Sequence, residues 1–185
     1  MSGMTQTERR FTAIEFDRMA AVGILHEDEH VELLDGKIIT MNAMGTPHIM
    51  AMTRMNHLIV PVVGPGILVV QQVPILLSEH WKPEPDLVVF RDREYGDQPL
   101  TAADLLFVVE IGDTSVEQDR SLKIPRYGAA GIAESWLVDL ITRRIERYTE
   151  PRPGGYHQVL IARSGEALAS TVVPGLTLAV DAIIR

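Results

Sequence analysis

The chain has 185 residues, 46% of them hydrophobic and 23% charged, and carries a net charge of −8 with no cysteine. That length fits one core, and the missing cysteines exclude cysteine zinc sites, iron–sulfur clusters and thiol catalysis. No run approaches the roughly 18 apolar residues that cross a bilayer, and MSGMTQTERRF has charge without an apolar stretch behind it, unlike a secretion signal. These features lead us to expect a protein of the cytoplasm.

Residues 1–10 read as a tail, and residues 11–185 as a single domain. Thr12 followed by Glu15 matches a capping box, which predicts a helix to about Ala21 with Phe16 and Met19 inward. HVELLDGKIITM reads as two strands around the turn pair Asp35-Gly36. Thr46-Pro47 predicts a second helix, with the threonine as cap and proline first. Ile49, Met52, Leu58 and Ile59 would form its buried stripe, and Pro61 would end it.

From Gly66 the period changes. ILVVQQ, PILL and PDLVVF read as short strands, and DLLFVVEI is an apolar run suited to a strand covered on both faces. Thr114 or Ser115 should cap a helix over 116–130, with Pro125 as a local defect. SWLVDL and RIERYTE read as a strand pair; GYHQVLIA and ALASTVV add two more before an irregular end. The expected fold is mixed α/β (α+β), a central sheet flanked by helices.

Glu110 ends a strand that ought to be buried. Either the strand emerges into solvent there, or the carboxylate has a partner that offsets its burial. Asp86 begins PDLVVF and could be an ordinary strand entry. Two adjacent strands could instead set these acids side by side. At about 6 Å and an effective dielectric near 20 their repulsion is roughly 3 kcal/mol. A cation in the gap would offset it, and hard oxygen ligands favour Mg²⁺ or Mn²⁺. Asp119, Lys123 and Tyr127 recur at four-residue spacing on one helix face. Lys123 could place an ammonium over the end of the Glu110 strand, or form a surface pair with Asp119.

Pro85-Asp86 and FVVEIGDTSVEQDRSLKIPRYGAAGIAESWLVDL resemble the Uma-two family of restriction-endonuclease-like proteins, within the PD-(D/E)xK nuclease superfamily. VELLDGKIITM and the helix carrying His48 match the same layout, so the resemblance spans about residues 10–180. It implies a restriction-endonuclease-like core and metal-dependent hydrolysis of phosphodiester bonds, in DNA before RNA. Asp86 and Glu110 would be metal ligands, with the Ile111 carbonyl a third. The superfamily lysine two residues after the glutamate is replaced by Gly112, which moves the role to Lys123. Glu32 matches a glutamate near the metal, or is a cross-strand partner in its hairpin. Asp119 and Tyr127 match positions beside the site, and His48 borders it. A homodimer follows by analogy.

His26, His30, His57, His80 and His157 make no metal pattern. The methionines between Met41 and Met55 read as core filling, Trp81 as a loop residue, Trp136 as core, and Arg143, Arg144 and Arg147 as a solvated hairpin face. The acidic balance and Gly112 sustain two alternatives: a nuclease fold that binds or scaffolds without turnover, and a hydrolase of small phosphate esters.

Overall fold

The computed structural model describes residues 7–26 and 28–185, so most of the expected tail, residues 1–6, lies outside the described residues. Of its remainder, Arg9 pairs with Glu15 at 2.6 Å and Arg10 with Asp35.

Helix α1 is Ala13–Ala21, and its N-cap Thr12 and Glu15 form the reciprocal capping box. Strands β1 (Val31–Leu34) and β2 (Lys37–Thr40) form a separate two-stranded sheet. Their turn puts Asp35 at φ 53° and Gly36 at φ 74°, the left-handed pair a two-residue hairpin requires. Helix α2 is Thr46–Ile59, but its N-cap is Gly45 and no side chain caps it. Thr46 is therefore the first helical residue and not the cap. Met52, Met55 and Ile59 are buried, whereas Ile49 is 42% exposed and corrects the expected stripe.

The central sheet has six strands in the order β10-β9-β8-β7-β5-β3. They are β3 (Ile67–Gln71), β5 (Leu87–Arg91), β7 (Leu105–Gly112), β8 (Glu134–Asp139), β9 (Arg144–Arg152) and β10 (Gly155–Arg163). Only β7 and β8 run parallel. A parallel neighbour requires a crossover, and here it is helical. The crossover contains α3 (Val116–Gln118), a π turn (Asp119–Lys123) and α4 (Ile124–Ala129). The expected continuous helix is thus interrupted before Pro125: the Ile124 N–H bonds back five residues to Asp119.

Strand alternation sorts two cores. Leu87, Val89, Phe107, Val109, Trp136 and Val138 face α2 together with α5 (Val180–Ile183). Val88, Val108 and Leu137 face the crossover through Ile124 and Tyr127. Each fully buried side chain of this size contributes roughly 1.5–3 kcal/mol. Short pairs complete the fold: β4 (Ile75–Leu76) with β6 (Leu100–Thr101), and β11 (Ala167–Ala169) with β12 (Thr177–Ala179). ALASTVV therefore supplies only a three-residue strand, and the expected irregular end contains its partner. No helix among the described residues is long and apolar enough to cross a membrane.

Candidate active site

At one end of β5 and β7 lies a cavity of about 300 Å³ whose lining includes Glu32, Asp86, Glu110, Ile111, Asp119 and Lys123. The strand register explains how distant residues meet there. Leu87 faces Val109 across β5 and β7, and one further step sets Asp86 opposite Glu110. Both belong to the alternation that faces the crossover, where Tyr127 and Lys123 approach.

Asp86 is held from two sides. Its Oδ2 accepts the Ile111 N–H at 2.7 Å, and His48 Nε2 lies 2.8 Å from its Oδ1. Within an extended strand, N–H and C=O of one residue point to the same side, so the Ile111 carbonyl faces the Asp86 side too. Glu110 is 2% exposed, which excludes the solvent-emerging strand end, and its Oε1 accepts a hydrogen bond from the Tyr127 hydroxyl.

Lys123 is 6% exposed and Asp119 5%, so theirs is no surface pair. The Lys123 ammonium lies 2.8 Å from Glu32 Oε1, 3.5 Å from Glu110 Oε2 and 3.8 Å from Asp119 Oδ1. Glu32 faces Ile39 in its hairpin, but its carboxylate reaches away to Lys123 and to the Glu84 N–H at 2.7 Å.

These contacts set the protonation balance. Burial raises the Glu110 pKa well above the usual carboxylate range; Lys123 opposes this, and Asp119, Asp86 and Glu32 reinforce it. Burial likewise pushes Asp119 up to about 6 against the pull of Lys123. For Lys123 burial disfavours the ammonium, but Glu110, Glu32 and Asp119 outweigh it and raise its pKa. The same contest at His48, burial against the bond and charge of Asp86, ends in a raised pKa.

The family comparison reads onto this geometry. The model of the Uma2 family, described as "Putative restriction endonuclease", matches residues 13–181. The chain belongs to the Uma2 family. A "putative nuclease belonging to DUF820" from Anabaena variabilis has a similar solved structure: TM-score 0.74 and 18% identity, over 94% of this chain and 97% of that one. At that identity the likeness shows the fold, a restriction-endonuclease-like mixed sheet with helices. None of the curated proteins matches the chain.

Gly112 has a steric reason to be glycine: a Cβ there would stand 2.6 Å from the Val116 Cα, so no side chain fits. The ammonium that faces Glu110 comes from Lys123 in the crossover.

The donor set suits a hard divalent cation. Three buried carboxylates, Glu32, Glu110 and Asp119, share the one ammonium of Lys123, and the fourth, Asp86, is paired with His48, so acids outnumber the cationic groups that face them. Among the described residues no three acid or histidine side chains already stand as a ligand cluster. Each carboxylate oxygen accepts two hydrogen bonds or a bond and an ion, so the bonds at Asp86 and Glu110 leave lone pairs free.

Sequence reasoning left several cavity residues aside: Glu84, Asp113 and Gln72. Of the methionines read as core filling, Met52 and Met55 are core, Met44 packs against the core and also lines the cavity, and Met41 lines the cavity. His48 was set at the border; its 38-residue separation from Asp86 leaves no periodic signal. Arg143, Arg144 and Arg147 turn to structural partners, the Ile184 carbonyl, Glu146 and the Ala169 carbonyl.

Proposed function

We propose that the cavity is the active site of a metal-dependent nuclease that hydrolyses phosphodiester bonds, in DNA before RNA. The observation that carries this reading is the cross-strand pair Asp86–Glu110 with buried Lys123 at 3.5 Å from Glu110. Asp86, Glu110 and the Ile111 carbonyl would hold Mg²⁺ or Mn²⁺. A divalent ion there supplies Lewis-acid polarisation of phosphate oxygens.

The chain's own residues supply the rest. Lys123 offsets charge that grows on the phosphate oxygens and orients the attacking water. The oxygen of that water bonds to phosphorus as the bond to one sugar oxygen breaks; a water proton passes to a nearby carboxylate, and the departing sugar oxygen takes a proton from solvent to leave as a hydroxyl. Glu32 and Asp119 hold Lys123 in place, the Tyr127 hydroxyl fixes Glu110, and the Ile111 N–H with His48 fixes Asp86. Pairing groups that orient ligands commonly matter by 10–100-fold. The domain is taken as residues 11–185. Absence of cysteine accords with a cytoplasmic location, and a homodimer is expected by analogy with nucleases that cut both strands.

The test is cleavage of DNA and RNA in Mg²⁺ or Mn²⁺ by wild type, Asp86→Ala and Glu110→Ala, with calorimetric titration of Mn²⁺. Wild type should cut and bind the ion, and each variant should lose about 10²-fold or more in rate. The rival reading, a nuclease fold that binds without turnover, is favoured by the engagement of both Asp86 oxygens. It prevails if all three proteins are inert while wild type still holds nucleic acid. Turnover of small phosphate esters alone would instead indicate the esterase alternative.

A further inference from the structure

We infer that the cavity admits one unpaired nucleotide, so that the strand being cut is single-stranded or locally unpaired. The inference rests on the phosphodiester reading above for its chemistry, but on different observations for its substrate.

The first is charge. Glu32, Glu84, Asp86, Glu110, Asp113 and Asp119 line the cavity, where Lys123 is the only lysine or arginine among the described residues, beside His30 and His48. Nearby Arg120 is turned to Glu146, Asp139 and Glu117. A duplex carries one negative charge per roughly 1.7 Å of its axis and is held by cations that follow both backbones. Laid over this mouth, its phosphates would meet carboxylates. A strand that delivers one phosphate at a time avoids most of that repulsion.

The second is the remaining lining. Strand β2, the 41–45 loop and the start of α2 bring Ile39, Met41, Met44 and Ile49 to the cavity, with the amides of Asn42, Gln72 and Gln118. Ile49 is left 42% exposed there. Thioethers make favourable contacts with aromatic faces, and amides can donate to and accept from a base edge. Enzymes that admit an extruded base use the same combination, apolar contact on its faces and hydrogen bonds on its edge.

The third is Gln72. It adopts φ 49°, a left-handed conformation unfavourable for a side-chain residue, and such strain clusters at ligand sites. Its Nε2 donates to the Met44 sulfur at 3.5 Å, and its N–H to the Asp86 carbonyl at 3.2 Å. The amide–methionine wall is therefore coupled through the backbone to the acid at the cleavage centre. A volume of about 300 Å³ is at the small end of ligand pockets, suited to one nucleotide and not to a base pair with both backbones. A single strand needs only one such centre, so the inference does not lean on a dimer.

The test combines binding and cleavage. Fluorescence anisotropy in Ca²⁺ compares a labelled single strand, the same strand in a duplex, and a duplex with a bulge of unpaired nucleotides. Cleavage in Mg²⁺ or Mn²⁺ is then mapped on single strands with one abasic position. We expect single-stranded and bulged DNA to bind at least about tenfold tighter than duplex at 0.15 M salt, and cutting beside the abasic position to fall about tenfold. Gln72→Gly relieves the left-handed conformation, so it should fold as well as wild type and lose most of the single-strand preference. Equal or tighter duplex binding, unchanged cutting beside the abasic position, or full preference in Gln72→Gly overturns the inference. Preferred cutting of duplex would overturn it and leave the nuclease reading intact. Retained single-strand preference without any cutting would sustain the unpaired-nucleotide pocket and defeat the nuclease reading; no binding to any DNA defeats both.

Discussion

Asp119 illustrates how one side chain reports on the whole charge cluster. Its carboxyl is pushed up to about 6 by burial, with Lys123 pulling the other way. An acid that binds its proton more tightly in the folded than in the unfolded chain favours folding at low pH. That contribution is complete below about 3.9, the unfolded value, and is gone above about 6. Wild-type stability should therefore fall across pH 4–6 relative to Asp119→Asn, by on the order of 3 kcal/mol from a shift of about two units. Urea unfolding of both proteins between pH 4 and 8 measures the difference. Parallel curves would mean that Asp119 is not strained by its surroundings. Glu110 moves in the same direction, chiefly through burial, and Asp119 adds to its rise, so the comparison also carries the part of the Glu110 shift that Asp119 causes.

At the scale of elements, the crossover decides where the ammonium points. Arg120 sits on the π turn next to Asp119 and holds Glu146 and Asp139 at 2.9 Å each, so the turn is tied to β9 and β8. Arg120→Ala would leave those buried acids with Arg144 as their cation, beside the Thr142 N–H on Asp139 and the Tyr148 hydroxyl on Glu146, a loss of about 3 kcal/mol in chemical denaturation. A cost below about 1 kcal/mol would show that Arg144 suffices. Gly112→Ala tests the close passage of β7 under α3: the added Cβ lies 2.6 Å from Val116, and the shift it forces should cost about 1–3 kcal/mol. Full stability in that variant would contradict the steric account of Gly112.

Much of this layer was readable from residue order. Thr12 with Glu15, Asp35-Gly36 and the apolar runs of β5 and β7 are local signals, and each produced the element its chemistry dictates. The four-residue spacing of Asp119, Lys123 and Tyr127 survives the π turn, since all three reach the site. The π turn itself, the Gly45 cap and the β11–β12 pair were not readable. Nor was the contact of Glu32 with Lys123 across 91 positions. These depend on what the folded chain brings together, and no periodicity encodes that.

For the whole molecule the governing quantity is the net charge of −8. A protein that holds nucleic acid through one or two phosphates should show a weak salt response. The slope of log K against log salt for single-stranded DNA should be shallower than about −2, given roughly −0.7 per phosphate neutralised. Anisotropy titrations from 0.05 to 0.3 M salt give that slope directly. A value steeper than about −4 would require a basic track that the cavity walls do not provide.

The β1–β2 hairpin is not a member of the six-stranded sheet: Leu33 bonds through the main chain to Lys82 in the segment before β5, and the Glu32 carboxylate reaches Lys123 in the crossover. Recutting residues 31–40 would reshape the mouth through Ile39 and Thr40 and retune the lysine through residue 32, while the frame that bears Asp86 and Glu110 stays as it is. On the proposed reading, the hairpin then carries part of the mouth and one partner of Lys123, while the two acids belong to β7 and to the entry of β5.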